Sequence, residues 1–113
     1  MIYEHMDVVR VPFPFTDKTA SKNRPALIIS RGGAFNAPAN HSVMAMITSA
    51  THTPWPLDCH ITNLNAAALP APSLVRFKLF TLDHRLIRGK LGTLAAEDRE
   101  KVRQALITLL GLD

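Results

Sequence analysis

Short apolar runs alternate with polar stretches that hold glycine and proline through most of the chain. Short runs rich in valine, isoleucine and phenylalanine are typical of strands. Because Pro12 and Pro14 cannot donate backbone hydrogen bonds, we expect the first run to end early or to lie at a sheet edge. The runs predict strands over residues 7–15, 25–30, 43–50, 57–64 and 73–82, with a short strand within 84–94.

The segments between these runs predict an exposed loop over 16–24, turns over 31–42 and at most one helical turn over 65–72. Near the C-terminus the spacing changes to that of an amphipathic helix over Glu97–Leu110, with apolar residues at 102, 105, 106, 109 and 110. Gly111 follows as a stop signal, whereas Ala95 and Ala96 offer no side-chain cap, and Thr93 is the nearest candidate. Short strands followed by one helix predict a mainly β domain, built as a small barrel or strongly curved sheet that the helix covers.

Length and composition narrow the class of protein. The 113 residues suit a single domain, 1–113, and 47% hydrophobic residues suffice for a packed core. We expect no membrane partner, because no apolar run approaches the ~20 residues of a membrane span and the N-terminus does not resemble a secretory signal. The single cysteine, Cys59, fits a reducing cytoplasm. The net charge of +4 favours an anionic partner, with nucleic acid first, although small domains also carry such charge for solubility.

Several short segments occur in an order and spacing that resemble a known family. In chain order they are DVVRVPFPFTD, RPALIIS, MITS, SLVRF, FTLD and KLGTL, and a closing helix follows. From about Asp7 to Leu112 the chain is thus similar to the PemK/MazF family of toxins from type II toxin–antitoxin systems. The resemblance implies an SH3-like barrel of the cell-growth-inhibitor fold, a homodimer and a metal-independent endoribonuclease. It further implies cleavage of single-stranded RNA or mRNA at short sequences, and a cognate antitoxin peptide that blocks the RNA groove.

The sequence departs from this family's pattern at a few positions. Met6 and Ala20 stand where relatives usually have glycine. Where close relatives carry an acid shortly after the arginine of the fifth run, this chain reads Arg76-Phe77-Lys78. We therefore expect an acid proposed for proton transfer in some relatives to be absent.

Arg24 is the first candidate catalytic residue. It stands where the exposed loop enters the second predicted strand, and Pro25 holds it in an extended conformation. Cleavage without a metal requires positive charge at the transition state, which the guanidinium fork supplies. The resemblance implies that the matching arginine is catalytic; the alternative is a surface arginine paired with a nearby acid such as Asp17.

Thr48 is the second candidate catalytic residue, because it ends an apolar run and its hydroxyl should reach the sheet rim. The resemblance implies that a hydroxyl here contacts the scissile phosphate beside the arginine. A threonine hydroxyl ionises far above neutral pH, so we expect it to donate a hydrogen bond or to orient the 2′-oxygen. Ser49 is a candidate to share or replace that role.

Further candidates for RNA contacts are basic or aromatic. Arg76 and Lys78 should project to one face of a strand, where they bind phosphate or remain solvated. Trp55, held between two prolines, is a base-stacking platform or packs over the core edge or a dimer contact. Lys22 belongs to the basic run that ends at Arg24.

The proton-transfer groups stay open at this point. The residue types suited to the role are present at His41, His52, His84, Asp17 and Asp83, but the sequence singles out none of them. His52, Cys59 and His60 match no standard metal site, so we expect neither metal nor cofactor.

Two other functions remain open. A binding module of the same fold, similar to the gyrase poisons of this superfamily, would act through Leu110–Asp113 and not through Arg24. A weakly active homologue that lacks the acid after Arg76 would mainly bind an antitoxin.

Overall fold

The computed structural model describes residues 3–12 and 23–113. This part of the chain forms a curled antiparallel sheet with the strand order β4-β5-β3-β2-β1-β6. The strands are Asp7–Pro12 (β1), Asn23–Ile28 (β2), His41–Ser49 (β3), Cys59–His60 (β4), Ser73–Asp83 (β5) and Gly89–Thr93 (β6). The helices are Ala37–Ala39 (α1), Leu64–Ala67 (α2) and Ala96–Leu110 (α3). A π-helical turn, Gly32–Asn36, leads into α1, and a 3-10 turn, His84–Leu86, precedes β6. The predicted mainly β fold with a C-terminal helix is confirmed.

The first two strands differ from the sequence prediction in ways that affect the site. β1 pairs with both β2 and β6, so the alternative of an edge strand is wrong; residues 13–15 of that prediction lie outside the described residues. β2 begins two residues earlier than predicted, which places Arg24 and Pro25 inside the strand. Pro25 is tolerated there because pairing of β2 with β3 begins only at Ala26.

The predicted strand over 57–64 is also wrong in extent, because β4 contains only Cys59 and His60. Leu57 has a left-handed backbone, with φ 66°, which a strand cannot contain. Beyond His60, the N–H groups of Thr62 and Asn63 donate to the Asp98 carboxylate, so they are not available to a neighbouring strand. Both ends of β4 are therefore fixed by local chemistry that hydrophobic patterning does not reveal.

Alternating residues of the sheet pack into two separate cores. On the side covered by α3, Val8, Leu27 and Ala45 are fully buried and pack with Val102 of the helix. On the opposite side lie Val9, Val11, Ala26, Ile28 and Met44. The sheet is therefore buried on both faces over much of its area, which explains why its strands read as nearly continuous apolar runs.

The segment around α2 closes the gap between the two edge strands. Gly92 of β6 lies so close to α2 that a Cβ at this position would be 2.3 Å from the carbonyl oxygen of Ala66. The single helical turn predicted between residues 65 and 72 corresponds to α2. Because α2 follows β4 and touches β6, the sheet curls into a half-barrel.

The terminal helix has the boundaries that its stripe predicts, to within one residue. Gly111 ends it in the left-handed conformation, with φ 68°, and Ala95 at its start provides no side-chain cap. Thr93 is not a cap, since its hydroxyl donates to Asp7 at 3.2 Å. None of the helices in the described residues is long and apolar enough to cross a membrane.

Candidate functional site

A groove at one end of the sheet brings together the two candidate catalytic residues. It has a volume of about 220 Å³, and Arg24, Thr48 and Ser49 line it together with the segment before β5. We call it the β2–β3 groove; its lining is Arg24, Pro25, Ile47, Thr48, Ser49, Leu69, Pro70, Ala71, Pro72 and Ser73. Proline-rich walls hold the shape of such a groove with little conformational freedom.

The strand register explains why the groove opens here. Ala26 pairs with Met46, and the same register continued two residues further brings Arg24 opposite Thr48. Pro25 has no N–H with which to extend the ladder, whereas β3 stays paired with β5 through Thr48 and Ser49. The edge between β2 and β3 is consequently left open at this end.

The polar groups of Arg24 and Thr48 are available to a ligand. Within residues 3–12 and 23–113, no carboxylate pairs with the exposed Arg24 guanidinium, and no hydrogen bond involves the Thr48 hydroxyl. Asp17, the alternative partner of Arg24, lies outside the described residues. Ser49 differs, because its hydroxyl is already hydrogen-bonded to that of Thr51 at 2.9 Å. The groove thus offers one guanidinium and one hydroxyl that no other described residue engages.

A largely buried ion pair lies next to this groove on the same face of the sheet. Thr48 pairs with Leu74 of β5, and Arg76 is two residues further along that strand. Such diagonal neighbours lie about 7 Å apart. Arg76 donates from Nε and Nη2 to both carboxylate oxygens of Asp58, at 3.2 and 2.9 Å, and from Nη2 to the carbonyl of Thr53, at 2.7 Å. The predicted phosphate contact of Arg76 stays a prediction, but most of its donors are already engaged.

The same ion pair fixes the loop that carries Trp55. The backbone N–H of Trp55 donates to the Asp58 carboxylate at 2.9 Å, and the Lys78 ammonium lies 4.6 Å from the centre of the indole ring. The Arg76 guanidinium is 5.9 Å from the same centre, so Arg76 and Lys78 project to one face, as their spacing predicts. Trp55 remains 42% exposed. An exposed aromatic ring flanked by cations is suited to a nucleobase.

Asp58 is the residue of this site that sequence reasoning missed. Burial alone raises the pKa of its carboxyl, but hydrogen bonds from Arg76 and from the Trp55 N–H, together with the charge of Arg76, bring that pKa below its ordinary value. Asp58 therefore stays ionised near neutral pH. Its sequence, Leu-Asp-Cys, carries no motif that distinguishes it from a surface aspartate.

Of the five candidate proton-transfer residues, Asp17 lies outside the described residues, three lie away from the groove and one is an open case. His41 is near Asp83, with Nε2 and Oδ2 3.9 Å apart, and His84 is bonded to Ser42 at 2.7 Å. These groups are at the opposite end of β3 from Thr48, on the order of 20 Å away. The open case is His52, whose backbone N–H donates to the Ser49 carbonyl at 3.3 Å.

Two further predictions concern Lys22 and metal binding. Lys22 lies outside the described residues, so its predicted RNA contact stays a prediction. Across the described residues, no group of three or more His, Cys, Asp or Glu side chains is placed to hold a metal ion. The pKa of the Cys59 thiol is raised, chiefly by burial, which keeps it protonated.

The fold of the half-barrel is similar to that of solved toxin structures. MazF from Deinococcus radiodurans superposes with a TM-score of 0.74 at 23% identity, covering 98% of each chain. A mycobacterial endoribonuclease in complex with its cognate antitoxin gives 0.77 at 22% identity, covering 98% of this chain and 97% of that one. The Mycobacterium tuberculosis toxin MazF-mt6 gives 0.71 at 20% identity, with 95% and 98% covered. At these identities the likeness shows the fold, which is the small barrel of MazF.

The family follows from the sequence itself. The model of the PemK-like, MazF-like toxins of type II toxin–antitoxin systems matches residues 4–110. This chain belongs to that family, as the resemblance of its short segments predicts. A search of curated proteins gives no significant match.

Proposed function

We propose that this toxin is a metal-independent endoribonuclease that cuts single-stranded RNA, with Arg24 and Thr48 as its catalytic residues. The observation that carries the proposal is the β2–β3 groove, in which a guanidinium and a hydroxyl meet and neither has a partner in the described chain. Membership of the MazF-like family supports it, and so does the likeness to a mycobacterial endoribonuclease bound to its antitoxin.

In the proposed reaction the 2′-oxygen of a ribose attacks the adjacent phosphorus. An O2′–P bond forms and the P–O5′ bond breaks, which leaves a 2′,3′-cyclic phosphate and a 5′-hydroxyl; the 2′-hydroxyl gives up one proton and the leaving oxygen gains one. Arg24 donates to the phosphate oxygens, where negative charge grows at the transition state. Its position inside a paired strand next to a proline keeps the fork aimed at that phosphate.

Thr48 acts by positioning. Its hydroxyl donates to a phosphate oxygen or orients the 2′-oxygen, because no other residue of the described chain binds it and it does not ionise near neutral pH. Ser49 is the weaker candidate, since its hydroxyl is bonded to Thr51. The described lining holds no carboxylate or imidazole, so we assign the catalytic role of Arg24 and Thr48 to charge stabilisation and orientation, and not to proton transfer.

The substrate extends from the groove toward the neighbouring ion pair. We propose that a nucleobase stacks on Trp55, while Lys78 binds an adjacent phosphate and Arg76 chiefly supports the loop. Lys22, close to Arg24 in sequence, adds a further phosphate contact. Stacking on an aromatic side chain contributes about 1–3 kcal/mol per base.

The biological setting follows the family. We propose that the chain acts as one toxin domain in the cytoplasm, forms a homodimer and is neutralised by a cognate antitoxin peptide. The likeness to MazE–MazF complexes supports the antitoxin. Sedimentation over a range of protein concentrations, with and without the peptide, tests the dimer and the complex.

The main experiment induces the protein in cells and maps new RNA 5′ ends, beside cleavage assays with purified protein and added chelator. We expect Arg24→Ala to lower cleavage by about 100- to 1,000-fold, since a fixed donor to developing charge is lost. Arg24→Lys should restore little, because a lysine cannot form the two-pronged contact. Thr48→Ala should also lower cleavage, and folding should survive in all three variants.

The matched control is Arg88→Ala, which removes the same charge from an exposed position outside the groove. It should cleave as the wild type does. The proposal fails if purified wild-type protein cuts no RNA across diverse sequences, or if Arg24→Ala cuts as fast as the control.

A further inference from the structure

We propose a second phosphate site on the α3 side of the sheet, which holds the backbone of an RNA chain that extends beyond the cleavage groove. This inference rests on the proposed function. The site is a cavity of about 230 Å³ between the end of β2 and the first turns of α3, and three arginines line it. We call it the arginine cavity; its lining is His5, Met6, Arg31, Ala96, Arg99, Glu100 and Arg103.

The lining of this cavity carries more positive than negative charges. Arg103 pairs with Glu100 at 3.3 Å, which accounts for the one carboxylate in the lining. In the described chain neither the Arg31 nor the Arg99 side chain forms an ion pair or a hydrogen bond. Two guanidinium groups are therefore left to bind an anion, and His5 adds a ring whose Nδ1 is bonded to the Ile29 carbonyl at 2.8 Å.

The arginines of the cavity come from two separate parts of the chain, and the fold brings them together. Arg99 and Arg103 are four residues apart on α3, so they share one helix face. Arg31 reaches the same cavity from the turn after β2. In addition, the first turn of α3 has no side-chain cap, so its N–H groups near Ala96 leave a partial positive charge at the rim.

The shape and lining favour a phosphate over an acidic peptide. The cavity is smaller than a typical ligand pocket, and its one large apolar lining residue, Met6, is buried. A docked peptide would need apolar surface for its side chains, whereas guanidinium forks match the oxygens of a phosphate. The net charge of +4 is consistent with an anionic partner for this surface.

The cavity and the cleavage groove are at opposite ends of β2. Arg24 is the second residue of the strand and Arg31 follows its end by three residues, so the separation is on the order of 20 Å. An RNA of about three nucleotides that fills the groove is too short to reach the cavity, whereas a chain of about 20 nucleotides is long enough. This difference in length separates the two sites experimentally.

The test measures binding of 2′-O-methyl RNA of about 3 and about 20 nucleotides over a range of salt concentrations, since the blocked 2′-oxygen prevents cleavage. The variant is Arg31→Gln with Arg99→Gln, and the matched control is Arg85→Gln with Arg88→Gln. For the longer RNA we expect the variant to lower the slope of log affinity against log salt by about 0.7 for each lost phosphate contact. The short RNA should show no change, and the control should match the wild type.

Equal slopes for variant and wild type on the longer RNA overturn the proposal, and so does an equal loss in the control, which would be a general charge effect. A poly-glutamate peptide that loses affinity in the variant while RNA binding stays constant assigns the cavity to a protein partner and also overturns it. Cleavage of short RNA by the variant should equal that of the wild type. If that cleavage holds but the slopes do not change, this site fails and the endoribonuclease proposal stands.

Discussion

The pair of Asp58 and Arg76 illustrates how a single contact organises the neighbourhood of the groove. Each side chain is only 10% exposed, and the pair binds both the backbone of Trp55 and the carbonyl of Thr53. Removing one member of a buried charge pair leaves the other desolvated and unpaired, which costs more than the pair contributes. The pair therefore holds the loop from Thr51 to Asp58 in one conformation beside the β2–β3 groove.

We predict that Asp58→Asn lowers the free energy of unfolding by about 2 kcal/mol, because the Arg76 guanidinium loses a charged acceptor. Trp55 is the single tryptophan of the chain, so its fluorescence reports the loop directly. The emission should shift to longer wavelength as the loop moves away from Lys78. Urea titration followed by tryptophan fluorescence measures both effects.

The matched control for this prediction is Asp83→Asn, which breaks the exposed ion pair with Arg85 and should change neither quantity appreciably. Unchanged emission in Asp58→Asn would show that Asp58 does not hold the loop.

Sequence reasoning located the residues that stand at the ends of patterned segments, although their catalytic role stays a prediction. Arg24 precedes one apolar run and Thr48 ends another, and the family resemblance pointed to both; neighbouring antiparallel strands bring these two positions into one groove. Asp58 was missed because its partner is eighteen residues away and the turn between them has no repeating pattern. The arginine cavity was missed for a similar reason, since its side chains come from three separate segments.

Among the secondary-structure elements, α3 depends on one buried acid for its attachment to the sheet. Asp98, in its first turn, is 1% exposed and accepts hydrogen bonds from the N–H groups of Thr62 and Asn63 and from the Thr62 hydroxyl, at 2.8 to 3.1 Å. Lys101 lies 3.4 Å from the same carboxylate. An acid in the first turn suits the helix dipole, and this contact also ends β4 and links the helix to it.

We predict that Asp98→Asn destabilises the protein by about 2 kcal/mol at neutral pH, because buried N–H groups lose an ionised acceptor. Burial raises the pKa of Asp98, but the N–H groups of Asn63 and Thr62, the Thr62 hydroxyl and Lys101 together lower it below its ordinary value of 3.8. A lowered folded-state pKa contributes stability that is fully present above the unfolded value and is lost as the pH falls through the folded value.

The stability difference between wild type and Asp98→Asn should accordingly stay constant above about pH 5 and shrink below about pH 4. Urea unfolding across this range measures it. Glu97→Gln is the matched control, since Glu97 is an exposed acid in the same turn. A difference that does not depend on pH would mean that the Asp98 charge does not hold the helix.

At the scale of the whole molecule, the β2–β3 groove and the C-terminus favour different mechanisms of toxicity. The β2–β3 groove favours RNA cleavage. The C-terminus presents exposed leucines at the end of α3, with Leu110 56% and Leu112 71% exposed. Exposed apolar side chains that lie close together are typical of a surface that contacts another protein. A gyrase-type binding module would use such a surface.

We predict that Leu110→Ser with Leu112→Ser leaves RNA cleavage and growth arrest close to the wild-type level, whereas Arg24→Ala abolishes both. The leucines contribute little to the core because they are exposed, so the double variant should also keep its melting temperature. Growth curves after induction, with RNA 5′ ends mapped from the same cultures, compare the variants directly. If the leucine variant loses toxicity while its RNA cleavage persists, the toxic act is protein binding through the C-terminus, and cleavage at the groove is not what arrests growth.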